Sequence, residues 1–124
     1  MVPGFDRLRP VLARAVERME GLASVDDVLQ LIVEDRAQFW PLGESCAVTE
    51  LVVYPGGTLC RIWLGAGDLD ELRQVETMIR RWARQQGCLG LEIIGRDGWA
   101  KALDGYRKVA TIMVHRFDEE SIDV

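Results

Sequence analysis

The sequence predicts an α/β fold: a mixed, twisted sheet with helices on both faces. Three observations predict it. Apolar residues recur at three- and four-residue spacing near the start, which makes helical stripes. The pattern then changes to short runs rich in Val, Thr and Tyr around Pro55-Gly56-Gly57, which reads as strands joined by a turn. A strongly capped helix beginning at Asp68 then separates two strands, and a strand-helix-strand step brings its strands side by side in parallel, with a right-handed crossover.

Each element has its own signal. Residues 7–19 carry Leu8, Val11, Leu12, Ala15, Val16 and Met19 on one stripe, with Pro10 expected in the first turn, where proline is tolerated. Ser24 followed by Asp26 and Asp27 marks a second helix, continuing through Val28, Leu29 and Ile32 to about Glu34. Residues 37–40 form a short strand stopped by Pro41 and Gly43. Residues 47–64 form an antiparallel hairpin turning at Pro55-Gly56-Gly57.

Asp68 caps the next helix, and Glu71 completes a capping-box pattern. Leu69, Leu72, Val75, Ile79, Trp82 and Ala83 make its buried face, and this helix is expected to dominate stability. Acids stand at its start and Arg80, Arg81 and Arg84 at its end, which suits the macrodipole. Residues 89–94 form a strand, a short helix carries Trp99, Ala102 and Leu103, and residues 109–117 form the last strand. Residues 118–124 are an acidic tail. With no repeat and no linker, residues 1–124 read as one domain.

Composition narrows the function classes. The chain has 124 residues and is 48% hydrophobic, enough to build a core. Its net charge of -5 argues against nucleic acid, which is bound through Lys and Arg. The start lacks the pattern of a secretory signal, and no apolar run is long enough to span a membrane. An intracellular setting is expected. Cys46, Cys60 and Cys88 are scattered, without His or Cys neighbours at ligand spacing, so neither metal nor disulfide is expected. On the hairpin register, Cys60 should lie opposite Val52 or Val53, with Cys88 a helix away.

The order of elements resembles the GNAT (GCN5-related N-acetyltransferase) fold, best over residues 49–116. The runs Thr49-Glu50-Leu51-Val52-Val53-Tyr54-Pro55, Leu59 to Leu72 with its Gly65-Ala66-Gly67-Asp68 centre, Trp82-Ala83, Gly87-Cys88, Leu91 to Arg96, Gly98-Trp99 and Gly105-Tyr106-Arg107 are similar to small acetyltransferase-like proteins of tailed phages and prophages. That resemblance implies a role in virion assembly, with phage structural or assembly proteins, or a second copy, as partners. The place implied is the bacterial cytoplasm or the virion.

The same resemblance sets the chemical expectations. Acetyl-CoA would place its pyrophosphate on a helix N-terminus after a basic, glycine-rich loop. The matching run here, Arg61 to Gly67, is one residue too long, and Asp68, Asp70 and Glu71 crowd the first turn. Leu64, Gly65 and Gly67 are the candidate cofactor contacts, although the glycines equally suit a tight strand-to-helix connection with positive φ. The general acid expected five residues before Tyr106 is Lys101 rather than Tyr, and Tyr106 matches a packing aromatic. Glu50 and His115 are the remaining candidate bases. No catalytic set is complete, so no cofactor is expected; acetyl-CoA belongs to the alternative of a working N-acetyltransferase. A host-directed interaction module is a third reading. If the cleft is unused, its gap between the strands ending at Leu64 and Ile94 should be closed by side chains or filled by a neighbour, with Arg96 and Trp99 forming a protein contact.

Overall fold

A computed structural model describes residues 2–95 and 98–119. Helices α1 (Phe5–Glu17) and α2 (Val25–Val33) precede strands β1 (Gln38–Leu42), β2 (Ser45–Tyr54) and β3 (Gly57–Ala66). Helix α3 (Leu69–Gln85), strand β4 (Gly90–Ile93), helix α4 (Gly98–Ala102) and a 3-10 turn (Phe117–Glu119) follow. The sheet order is β1-β2-β3-β4, antiparallel except for the parallel β3–β4 pair across the α3 crossover. The mixed sheet and its parallel step are as the sequence predicts.

The two sides of the sheet carry separate cores. On one, Leu8, Leu12 and Val16 of α1 and Val28 of α2 pack against Cys46, Val48 and Leu64. On the other, Val75, Ile79 and Ala83 of α3 pack against Ala47 and Cys60. Alternation along β2 sends neighbouring residues to opposite faces, as a pleated strand requires. Along β3 the alternation breaks. Val48 pairs with Leu64 and Thr49 with Ile62, which leaves Trp63 as one extra residue, a β-bulge. Cys60 and Ile62 therefore face α3, whereas Leu64 faces α1.

Caps behave much as composition suggests. Ser24 and Asp27 form a full capping box: the Asp27 N–H donates to Ser24 Oγ at 3.1 Å and the Ser24 N–H to Asp27 Oδ2 at 2.8 Å. The Glu71 N–H donates to Asp68 Oδ2 at 3.1 Å, so Asp68 caps α3. The Asp68 N–H, however, goes to Ser45 Oγ and not to Glu71. Glu71 is not the second half of a box, because its carboxylate is held by the turn between β1 and β2.

Several expectations change. Pro10 lies within α1 beyond its first turn, because the helix starts at Phe5. Pro10 is exposed, so the Asp6 carbonyl that loses its partner faces solvent. Pro41 is inside β1, which tolerates it as an edge strand. Gly57 belongs to β3, so the hairpin turn is Pro55-Gly56, and Cys60 pairs with Leu51 rather than Val52 or Val53. Cys88 joins the Cys60 cluster, because α3 folds the chain back, yet all three cysteines are free thiols.

The largest correction concerns residues 109–117. Residues 106–116 form neither strand nor helix. Strand-forming side chains make a strand only within a backbone ladder, and among the described residues this segment joins no strand of the sheet. Of the tail, residues 118 and 119 end the 3-10 turn, and residues 120–124 lie outside the described ones. No helix among the described residues is long and apolar enough to cross a membrane.

Burial raises the Cys46 and Cys60 thiols from 9.0 to about 11; for Cys60 the nearby Cys88 adds to the same effect. The folded value exceeds the unfolded one. The stability this contributes is fully present below about pH 9 and lost as pH rises through about 11. Urea midpoints should fall across that window, and fall less in a Cys46→Ala/Cys60→Ala protein. An unchanged slope in the double variant would remove the thiols as its cause.

Candidate functional site

The β3–β4 ladder stops early. Its last pair is Ile62 with Ile93, followed by one long bond from the Ile94 N–H to the Ile62 carbonyl at 3.4 Å. Trp63, the bulged residue, comes next on β3. Beyond it β3 stays with β2 as far as Ala66, while β4 turns away at Gly95 toward α4. The two strands part, and a cleft of about 690 Å³ opens between them.

The cleft passes from one side of the sheet to the other. Leu72, Val75, Glu76 and Ile79 of α3 line one end. Arg18, Met19, Glu20 and Leu22, which follow α1, line the other. Trp63, Leu64, Gly65, Ile93 and Ile94 form the strand walls, and Ile112, Val114 and Arg116 lie across it. The expectation that side chains close the gap is therefore corrected: they do not fill it, because the bulge and the early end of β4 hold the strand backbones apart.

Trp99 helps to wall this cleft. A Cβ on Gly65 would sit 3.8 Å from its ring, an ordinary contact. A Cβ on Gly95 would come within 2.7 Å of the indole, so Gly95 makes room for it. Trp99 is half-buried and lines the cleft. Arg96, its expected companion in a protein contact, lies outside the described residues.

Of the candidate cofactor contacts, Leu64 and Gly65 line the cleft and Gly67 does not. Gly67 has φ 123°, and a Cβ there would meet the Ser45 side chain and the Ser45 Cα at 2.7 Å. Its role is the tight connection into α3. Around it the first turn of α3 is closed by the chain itself. Ser45 is fully buried; its Oγ accepts from the Asp68 N–H at 2.8 Å and donates to Glu71 Oε1 at 2.8 Å. The Glu44 N–H also donates to Glu71 Oε1, and Asp68 takes the Glu71 N–H.

The start of α3 carries features that oppose the pyrophosphate of acetyl-CoA. A helix start binds anions through its unsatisfied N–H groups and the positive end of its dipole. Here the N–H groups of Asp68 and Glu71 are already taken, and Asp68, Asp70 and Glu71 supply negative charge. Each such acid is stabilised by the dipole by about 0.3–1 kcal/mol and opposes a phosphate in the same place.

None of the candidate acid–base residues lines the cleft. Glu50 is ion-paired to Arg61 at 3.1 Å, and Arg61 also binds Glu92 at 2.8 Å. The Tyr54 hydroxyl donates to Glu92 at 2.7 Å, closing a four-residue cluster on the sheet. Lys101 is exposed on α4, and His115 stacks edge-on to Phe117, with ring centroids 5.6 Å apart. Tyr106 packs under the Arg80 guanidinium, 5.8 Å from its ring centroid. Its buried hydroxyl has no hydrogen-bond partner among the described residues, and burial first, then Glu76, pushes it up to about 12. The ionisable groups that do line the cleft are Arg18, Glu20, Glu76 and Arg116. In the sequence Glu76 reads only as the i,i+4 partner of Arg80, which it also is, at 2.7 Å. No periodicity marks a residue that borders a gap between two other strands. Among the described residues no group of three His, Cys, Asp or Glu could hold a metal.

No protein-family model and no curated protein matches the sequence. Solved structures do match the fold. A probable acetyltransferase superposes with a TM-score of 0.70 at 9% identity, over 94% of this chain and 95% of its own. An aminoglycoside acetyltransferase from an uncultured soil metagenomic sample gives 0.66 at 12%, over 92% and 88%. TTHA1254 from Thermus thermophilus gives 0.59 at 15%, over 91% and 89%. At these identities the likeness concerns architecture alone. With the parted parallel strands and the crossover helix beside them, it shows that this chain has a small acetyltransferase fold of the GNAT type.

Proposed function

We propose that this chain is a noncatalytic protein on an acetyltransferase-type fold, working through protein contacts in virion structure or assembly. The observation that carries the noncatalytic part is the closed first turn of α3. Ser45 and Asp68 take two of the N–H groups at this helix start, those of Asp68 and Glu71, and three acids stand around them. The absence of Glu50, Lys101, Tyr106 and His115 from the cleft lining supports the same reading. The assembly setting rests on the likeness of residues 49–107 to phage proteins. Recovery of the chain in fixed ratio from purified virions or assembly intermediates is the expected result there; absence from both removes that setting.

One observation favours a second reading, an acetyl-CoA-dependent N-acetyltransferase: the cleft of about 690 Å³ remains open between β3 and β4. Calorimetry separates the two. Titration with acetyl-CoA is expected to give no saturable heat up to millimolar ligand. Saturable micromolar binding that is lost in Gly65→Arg, whose side chain would enter the cleft beside Trp99, overturns the noncatalytic reading.

A further inference from the structure

We propose that the outer face of the C-terminal half of α3 docks an acidic segment of a partner protein. The proposal stands whether or not acetyl-CoA binds in the cleft, because the two surfaces lie on different sides of the helix. Leu72, Val75, Glu76 and Ile79 line the cleft. Thr77, Arg80, Arg81, Arg84 and Gln85 line a second hollow, of about 360 Å³. At 3.6 residues per turn, Thr77, Arg81 and Arg84 fall opposite Leu72 and Ile79, and all three are exposed.

This face is positive in a protein whose net charge is -5. From Thr77 to Leu91 the chain has three arginines and no acid. Arg80 is fixed: its Nε donates to Glu76 Oε1 at 2.7 Å, and its guanidinium lies 5.8 Å from the Tyr106 ring centroid. Arg81 and Arg84 are exposed, and among the described residues neither has a hydrogen bond or an ion pair. Arg107 and Lys108 directly follow Tyr106, and both are exposed. The macrodipole accounts for Arg84 in the last turn, but the helix end carries only about half a negative charge. Three arginines against that half charge and Glu76 leave the face positive.

Charge and spacing select the occupant. Arg80 and Arg84 are four residues apart, a rise of about 6 Å along the helix. Carboxylates two residues apart on an extended chain are separated by roughly 7 Å, a close match. The guanidinium fork binds a carboxylate through two parallel N–H bonds, so each arginine can take one side chain of such a segment. A single inorganic anion would engage only part of a row that runs from Thr77 to Gln85, about 12 Å. A nucleic acid needs a longer basic track, and beyond this face it would meet a chain with more acids than bases.

The test uses the full chain and a fluorescein-labelled hexaglutamate peptide, read by anisotropy at low salt. Saturable binding is expected, with none to labelled hexaglutamine, and it should weaken about threefold or more when salt shortens the reach of the charges. Arg81→Glu should weaken it about fivefold or more by putting like charge against the peptide. Arg14→Glu makes the same change in net charge at an exposed site on α1, and it should leave binding within about twofold. Arg84→Gln removes one charge without reversing it and should act in the same direction as Arg81→Glu, which keeps the test available if that variant does not fold. No saturation by millimolar chain overturns the proposal. So does equal weakening by Arg14→Glu and Arg81→Glu, or a single strand of six thymidines that binds more tightly than the peptide at equal salt.

Discussion

Gly67→Ala is expected to lower folding stability by about 2–5 kcal/mol, a sum of backbone strain and steric overlap. The residue adopts φ 123°, where side chains are disfavoured. An added Cβ would also meet Ser45, including its backbone Cα at 2.7 Å, which cannot rotate aside. Ser45 cannot move cheaply either, because its Oγ joins the Asp68 N–H to the Glu71 carboxylate. Gly65→Ala is the control. Its Cβ would touch the Trp99 ring at 3.8 Å without overlap, so its cost should stay within about 1 kcal/mol, near the level of an ordinary surface change. Urea denaturation of the two variants checks both figures. Equal stabilities would show that Gly67 is not the structural hinge into α3.

Leu12→Ala should cost about 3–5 kcal/mol, and Leu72→Ala nearer 2–3 kcal/mol, although both remove the same atoms. Leu12 is fully buried in the core beneath α1 and α2. Deleting its side chain leaves a sealed void. Leu72 is 8% exposed and borders the open cleft, so the space it vacates joins one that already exists. The expectation that α3 dominates stability is revised on this ground. Among the described residues, eleven buried residues form the core on the α1 side and five the core on the α3 side. Thermal or urea unfolding that ranks Leu72 above Leu12 would restore α3 to first place.

Much of the fold was legible because it is written in short-range signals. The stripe from Leu8 to Val16, the Ser24 and Asp68 caps, and the Pro55-Gly56 turn are each decided within a few residues of chain. The parallel step across α3 follows from handedness and element order alone. The position of Gly67 between a strand and a cap suggested a tight connection, and that is its role.

What the tertiary structure decided is where chains of unlike sequence meet. The bulge at Trp63 depends on the register of β3 against β2, and a single extra residue there turns Leu64 to the opposite face from Ile62. The cleft depends on two strands separating, so its lining gathers Arg18, Glu76, Ile94 and Arg116 from four distant places. Glu71 carries the pattern of a capping box, yet its carboxylate goes to Ser45, 26 residues away in sequence. Residues 109–117 carry the side chains of a strand, yet among the described residues they join no ladder of the sheet. The physical reason is common to all four. Propensity and capping are local free energies that the sequence states directly; a register, a gap or a ladder is a relation between distant backbones, and it exists only once those backbones are packed.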